Sequence, residues 1–266
     1  MEATHRSQAP PARRHARRGL WIGLVGPVVL VAAWAVLAAA RLFPESLFPS
    51  PLAVARGLAI EATSGRLWDD AVASLFRVTT GFLLSVALGV PCGLLLGRSP
   101  WAREAFLPLV NFFRSLSPLA WIPFAILWLG IGDPPAIFLI FMAAFFPVVL
   151  STAAAVASIP SVYFRVARDL GLAGGELLWQ VTLPAIAPHV ITTLRVTAGL
   201  SWLVVVAAEM IAGRDGLGFA VWDARNGLRI DLLAANMVVI GIIGIALDRV
   251  LVGLTRIPSV RWGYER

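Results

Sequence analysis

The chain alternates long apolar blocks with short polar ones. Apolar stretches run from Gly19 to Ala40, Val72 to Leu96, Phe106 to Leu129, Ala136 to Ala157, Val190 to Ile211 and Leu232 to Leu254. Each is close to the roughly 20 residues a helix needs to cross a bilayer. The pattern therefore predicts an all-α integral membrane protein with six transmembrane helices. The third block holds Pro108, Pro118 and Pro123, each of which is expected to break or bend its helix. Irregular backbone at membrane depth persists only beside protein or a water-lined cavity, so this span is expected to border the interior of an assembly. The first block follows Arg17-Arg18 and ends in Ala38-Ala39-Ala40, as a cleavable signal would. It exceeds the about 7–15 residues of a signal core, and a retained span is expected.

Composition agrees with this reading, at 59% hydrophobic and 14% charged residues. All 22 basic residues are arginines, and they report orientation. With the N-terminus inside, thirteen fall in cytoplasmic segments: Arg6, Arg13, Arg14, Arg17, Arg18, Arg98, Arg103, Arg165, Arg168, Arg249, Arg256, Arg261 and Arg266. Six fall outside: Arg41, Arg56, Arg66, Arg214, Arg225 and Arg229. Both termini are thus expected in the cytoplasm. Residues 1–18 read as a disordered, Arg-rich cytoplasmic tail, and residues 19–266 as one transmembrane domain. The net charge of +7 marks topology, not a nucleic-acid partner, because no basic patch with stacking aromatics in a soluble fold accompanies it. Cys92 is the only cysteine, which excludes an intrachain disulfide and a thiolate cluster, and the scattered His5, His15 and His189 suggest no metal site. Trp21, Trp68, Trp101 and Trp222 lie near span ends and read as interfacial anchors.

Between the fourth and fifth spans, on the predicted cytoplasmic side, lies a polar, glycine-punctuated island of about residues 158–189. Ser161 is positioned to cap a short helix in which Tyr163, Val166, Ala167 and Leu170 form one apolar stripe. Gly171 stands where a left-handed terminal residue is needed, and Gly174-Gly175 offers a second swivel. A second helix starts at Glu176, and Pro184 and Pro188 mark its end.

This island resembles the "EAA" motif of ATP-binding-cassette importer permeases, written Glu-Ala-Ala, three residues, Gly, nine residues, Ile, any residue, Leu-Pro. Ala167, Gly171, Val181, Leu183 and Pro184 keep that register, while Arg165 stands at the Glu position and Val166 at the first Ala. Further segments are similar to the nitrate, sulfonate and taurine subgroup. They include Phe48 to Pro51, Gly89 to Arg98, Ile126 to Gly132, Ala208 to Ile211 and Gly216 to Gly218.

The resemblance implies a permease subunit of an ATP-driven importer in a bacterial cytoplasmic membrane. Its implied partners are ATPase subunits, a periplasmic or lipid-anchored solute-binding protein and a second permease copy, most simply a homodimer. The island would be the coupling helix seated in the ATPase, with Arg165, Val166, Ala167, Arg168, Asp169, Gly171, Val181, Leu183 and Pro184 as its contact and register positions. ATP and Mg would belong to the ATPase partner. A chain without lysine has no Gly-x-x-x-x-Gly-Lys-Ser/Thr loop and binds no cofactor of that kind itself. The implied solute is a small anion of the sulfonate, taurine or nitrate type, with bicarbonate or an uncharged vitamin precursor as the alternative.

Ionisable residues inside spans are functional candidates by default, which singles out Arg77, Arg114, Arg195 and Glu209 for the pathway. Interface snorkelling is the structural alternative for the arginines. Arg225 and Arg229, in a mixed-charge outer segment, are candidates for docking a binding protein, a solvated connector being the alternative. Two rivals remain: a stand-alone secondary carrier, and an intramembrane protease using Ser201 and His189. The second is disfavoured because twelve positions on one helix separate the pair by roughly 18 Å.

Overall fold

The computed structural model describes residues 12–42 and 44–254, with side chains over 25–42 and 44–253. Among these residues every regular element is helical. The elements are α1 (Ala12–Ala39), α2 (Pro51–Ser64), α3 (Arg66–Arg98), α4 (Pro100–Ser115), α5 (Ile122–Leu129), α6 (Asp133–Ala157), α7 (Ser161–Asp169), α8 (Gly174–Leu177), α9 (Leu183–Ala212), α10 (Leu217–Asn226) and α11 (Ile230–Leu254).

Four described helices are long and apolar enough to cross a membrane: Arg66–Arg98, Asp133–Ala157, Gly174–Ala212 and Ile230–Gly253. The bent pair Pro100–Ser115 and Pro118–Leu129 makes a fifth crossing if it counts as one span. The block expected as a first span falls in α1, where Val25–Ala39 is a shorter apolar helix. That helix starts at Ala12, seven residues inside the tail expected to be disordered. Ala12 to Arg18 is mostly alanine and arginine, both strong helix formers. The rest of the expected tail, like Trp21's side chain, lies outside what is described.

The third span corrects the proline reading in part. Pro108 sits inside α4 without ending it, and Pro123 opens α5, where a missing N–H costs nothing. The break is made by Pro118. Leu116 and Ser117 before it are extended, with ψ of 133° and 127°, and the two halves diverge by 87°. A residue preceding proline is pushed out of the α region, which explains why the helix stops there.

α6 is the centre of the bundle, with 56% of its apolar window buried against 28% for α3 and 11% for α11. Its sequence is apolar on all sides, as a central helix requires. α3 lies along it at unusually short range, because Gly81, Ser85, Gly89, Gly93 and Gly97 recur every four residues on the facing side. A Cβ added at Gly93 would lie 2.5 Å from Thr152 Cβ, and one at Gly97 would lie 2.6 Å from Val156 Cβ. Small residues of this kind let helix backbones meet where lipid supplies no hydrophobic driving force. Cys92 packs beside this seam, with Leu96, Val110, Phe146 and Val149, as a small core residue.

Candidate functional site

The α7 loop and the opposite end of the bundle carry the candidate chemistry. In the loop, α7 starts after Pro160, and no side chain caps it, so Ser161 is not the cap expected from sequence. The other end of α7 follows expectation. Gly171 has φ +75°, its N–H donates to the Arg168 carbonyl at 2.9 Å, and the Leu172 N–H donates to the Ala167 carbonyl at 2.9 Å. This pair of bonds is the Schellman closure, which satisfies terminal carbonyls and requires a left-handed residue. Nothing lies within 4 Å of a Cβ built at Gly171, so conformation and not crowding selects glycine there.

Ala167 is 2% exposed, whereas Leu170 is 72% exposed and Tyr163 and Val166 also stand in the open. Arg165, Arg168 and Asp169 are exposed as well. Val162, Tyr163, Val166, Leu170, Leu172 and Val181 line a hollow beside this stripe.

The second helix differs from the sequence reading. It begins at Gly174, and Pro184 and Pro188 do not end it: Gly174–Ala212 is one helical run of 39 residues. A π-turn over Leu178–Thr182 makes this possible. There the Leu183 N–H bonds to the Leu178 carbonyl, and the Thr182 hydroxyl donates to the Leu177 carbonyl at 3.1 Å. The one-residue expansion re-registers the ladder around Pro184, which has no N–H of its own.

At the opposite end, Arg77 and Glu209 are 1% and 0% exposed and face each other, Nη1 donating to Oε1 at 2.8 Å. Arg77 Nε also donates to Asp133 Oδ1 at 2.6 Å, its Nη1 to the Asp215 carbonyl at 2.8 Å, and its Nη2 to the Asp215 carboxylate. One guanidinium thus joins α3, the start of α6, the end of α9 and the loop before α10. The other Glu209 oxygen accepts from Ser74 Oγ and from the Gly218 N–H, each at 2.9 Å. The Leu217 N–H donates to Ser74 Oγ at 3.0 Å, and the Gly216 N–H to Asp70 Oδ1 at 2.7 Å.

Three successive amides at the start of α10 are therefore held by buried side chains, answering the unsatisfied donors of a helix N-terminus. Gly216, at φ +101°, cannot be replaced freely: a Cβ would lie 2.5 Å from Glu209 Cδ and 2.7 Å from Arg77 Nη1. Sequence reasoning named Arg77 and Glu209 but missed Asp70, Ser74, Asp133 and Asp215. Asp70, Ser74 and Arg77 share one face at i, i+4 and i+7, a polar stripe that could have flagged the first two.

The remaining candidates are dispersed. Arg195 forms a two-pronged pair with Asp248 of α11, at 2.7 and 2.9 Å, on an exposed face. Arg114 is exposed at the end of α4, one residue before the break. Arg225 lies 5.3 Å from the Trp222 ring centre. Arg229 donates to both oxygens of Asp231, at 3.1 and 3.0 Å, which raises its pKa. No group of three or more His, Cys, Asp or Glu side chains able to hold a metal occurs among the described residues.

Comparison with known proteins agrees with this architecture. Residues 89–259 match the family described as binding-protein-dependent transport system inner membrane component. The taurine transport system permease protein TauC of Escherichia coli is 36% identical, over 86% of this chain and 85% of its own. The nitrate import permease protein NrtB of Synechocystis is 39% identical, over 66% of this chain and 64% of its own. The bicarbonate transport system permease protein CmpB of Synechococcus elongatus is 38% identical, over 72% and 69%. Among solved structures, a chain of the inward-facing methionine ABC transporter MetNI shares the fold with a TM-score of 0.57 at 20% identity, covering 71% of this chain and 97% of that one. The chain belongs to the family of binding-protein-dependent transport system inner membrane components.

Proposed function

We propose that this chain is the permease subunit of an ATP-driven importer for a small anion of the sulfonate, taurine or nitrate class, working as a pair of permeases in a bacterial cytoplasmic membrane. The observation that carries the reading is the α7 loop. An apolar stripe exposed on a short polar connector, locked by a Schellman turn at Gly171, suits a docking knob better than a spacer. ATPase subunits would receive it, with ATP and Mg held there, and a solute-binding protein would deliver cargo at the Arg77 end. In this arrangement the chain crosses the membrane six times, both termini and the α7 loop lie in the cytoplasm, and ATPase closure rocks the attached spans. Arg225 and Arg229 remain proposed contacts for the binding protein, and their charge reversal should weaken its affinity in a pull-down.

The taurine, nitrate and bicarbonate relatives support a small anion as cargo, and the bicarbonate relative keeps that ion within the class. The test is uptake of labelled taurine, nitrate and bicarbonate by the complex purified from native membranes and reconstituted in vesicles. ATP-dependent accumulation of one of the three, with a copurifying ATPase subunit, is expected. Accumulation driven by an ion gradient without nucleotide would make the chain a secondary carrier instead.

A further inference from the structure

Of the three arginines placed in or near the spans, two have their charge answered internally. Arg77 is surrounded by the carboxylates of Asp133, Glu209 and Asp215, and Arg195 is paired with Asp248. The side chain of Arg114 forms no ion pair or hydrogen bond among the described residues and is exposed.

The position of Arg114 makes this informative. Its neighbour Phe113 stacks on Phe146, with ring centres 5.6 Å apart and planes within 10°. Phe146 lies near the middle of α6, so Arg114 sits at about half the depth of the bundle. Immediately after it the helix is interrupted at Leu116 and Ser117, and α5 departs at 87°. Carbonyls of the last turn of α4 lose ladder partners there, except that of Phe113, which accepts from the Leu116 N–H at 3.2 Å. Hydrocarbon can satisfy neither those carbonyls nor a lone guanidinium. Snorkelling does not relieve it either, because half of the hydrocarbon thickness is about 15 Å, beyond the reach of one arginine from mid-depth. The exposed side of this break therefore faces protein or water and not lipid.

We propose that the break in the third span lines the solute pathway and that Arg114 is its anion-selecting contact, through guanidinium hydrogen bonds to the oxygens of a sulfonate, nitrate or bicarbonate group. A planar fork of N–H donors with permanent charge suits such oxyanions, and Arg77 and Arg195 already have their charge answered by carboxylates. This proposal rests on the permease reading, deepening it by naming the residue that meets the solute.

The test separates the two. Ser117 is replaced by cysteine in a Cys92→Ser background, giving one thiol beside the break, and the full chain in vesicles is treated with methanethiosulfonate reagents carrying either a sulfonate or a trimethylammonium group. Reaction with both is expected, because a thiol reacts as the thiolate and only in contact with water. The sulfonate reagent should be favoured, and Arg114→Gln should lower the anion-to-cation rate ratio about tenfold, while Arg114→Lys preserves it. In the reconstituted complex, Arg114→Gln should also cut uptake of labelled taurine, nitrate or bicarbonate at least about tenfold, with the ATPase subunit still copurifying. A thiol inert to both reagents, or a ratio unchanged by Arg114→Gln, overturns the site. The labelling decides this even if none of the three solutes is transported, an outcome that would instead count against the proposed cargo class.

Discussion

At the Arg77 end of the bundle an arginine and a glutamate are buried together; at the α7 end a stripe of apolar side chains is exposed. Arg77 and Glu209 are withdrawn from solvent and their polar atoms are shared among four elements. Tyr163, Val166 and Leu170 by contrast present bare surface, held in place by one helix and a two-bond turn. The first arrangement is complete in a single chain. The second leaves apolar surface open for the proposed ATPase seat. The difference teaches where stability and function separate: substitutions at the Arg77 node should act through folding, and substitutions on the α7 stripe should act through association.

The contrast can be broken most severely at Arg77. Arg77→Ala leaves Glu209 buried without its cation, a change of about 3–5 kcal/mol, and should abolish monodisperse protein in detergent extracts. Gly216→Ala should follow, at roughly 2–3 kcal/mol from left-handed strain and contact with the Glu209 carboxylate, visible as a lowered melting temperature. If either variant melted like the parent, the node would not be the structural clamp described here.

Gly171→Asp is expected to act in the opposite way. Its added atoms enter open space, and aspartate tolerates the left-handed region, so the loss of stability should be no more than about 1 kcal/mol. Retention of the ATPase subunit on the tagged chain, and solute-stimulated hydrolysis, should nevertheless be lost. Persistence of both would remove Gly171 from the proposed coupling role. Leu170→Ser should have a smaller effect, weakening ATPase retention by roughly tenfold, the scale of one apolar anchor, with melting unchanged. Arg229→Ala should be least visible, because its pair with Asp231 is exposed and screened; a large drop in melting temperature would show that the outer connector is more integral than it looks.

Much of this organisation was legible in the chain. Apolar block length located the long helices, and the spacing from Ala167 through Gly171 to Leu183-Pro184 located the loop, because a left-handed helix end selects glycine and proline fixes its own backbone. What escaped was tertiary. Pro108, Pro118 and Pro123 look equivalent in one dimension, yet only Pro118 follows residues driven into extended backbone. Pro184 and Pro188 were read as a terminus because the π-turn that absorbs Pro184 has no one-letter signature. Asp133 and Asp215 were missed because each lies outside the spans in sequence and reaches Arg77 only through the packing of α3, α6 and α9. Gly89, Gly93 and Gly97 fell in a run similar to the subgroup, and their physical use, near contact of two backbones, required the partner helix.

The uninterrupted run from Gly174 to Ala212 has a mechanical consequence. At about 1.5 Å per residue it is a strut nearly 60 Å long, with one end beside the proposed ATPase seat and the other at Glu209, inside the polar clamp. A rod of that length, tilted by about 5° around its midpoint, would carry each tip roughly 2.5 Å. That displacement rivals the lengths of the hydrogen bonds holding Glu209. Nucleotide-driven motion at one membrane face would then strain the clamp at the other directly, with no relay between them.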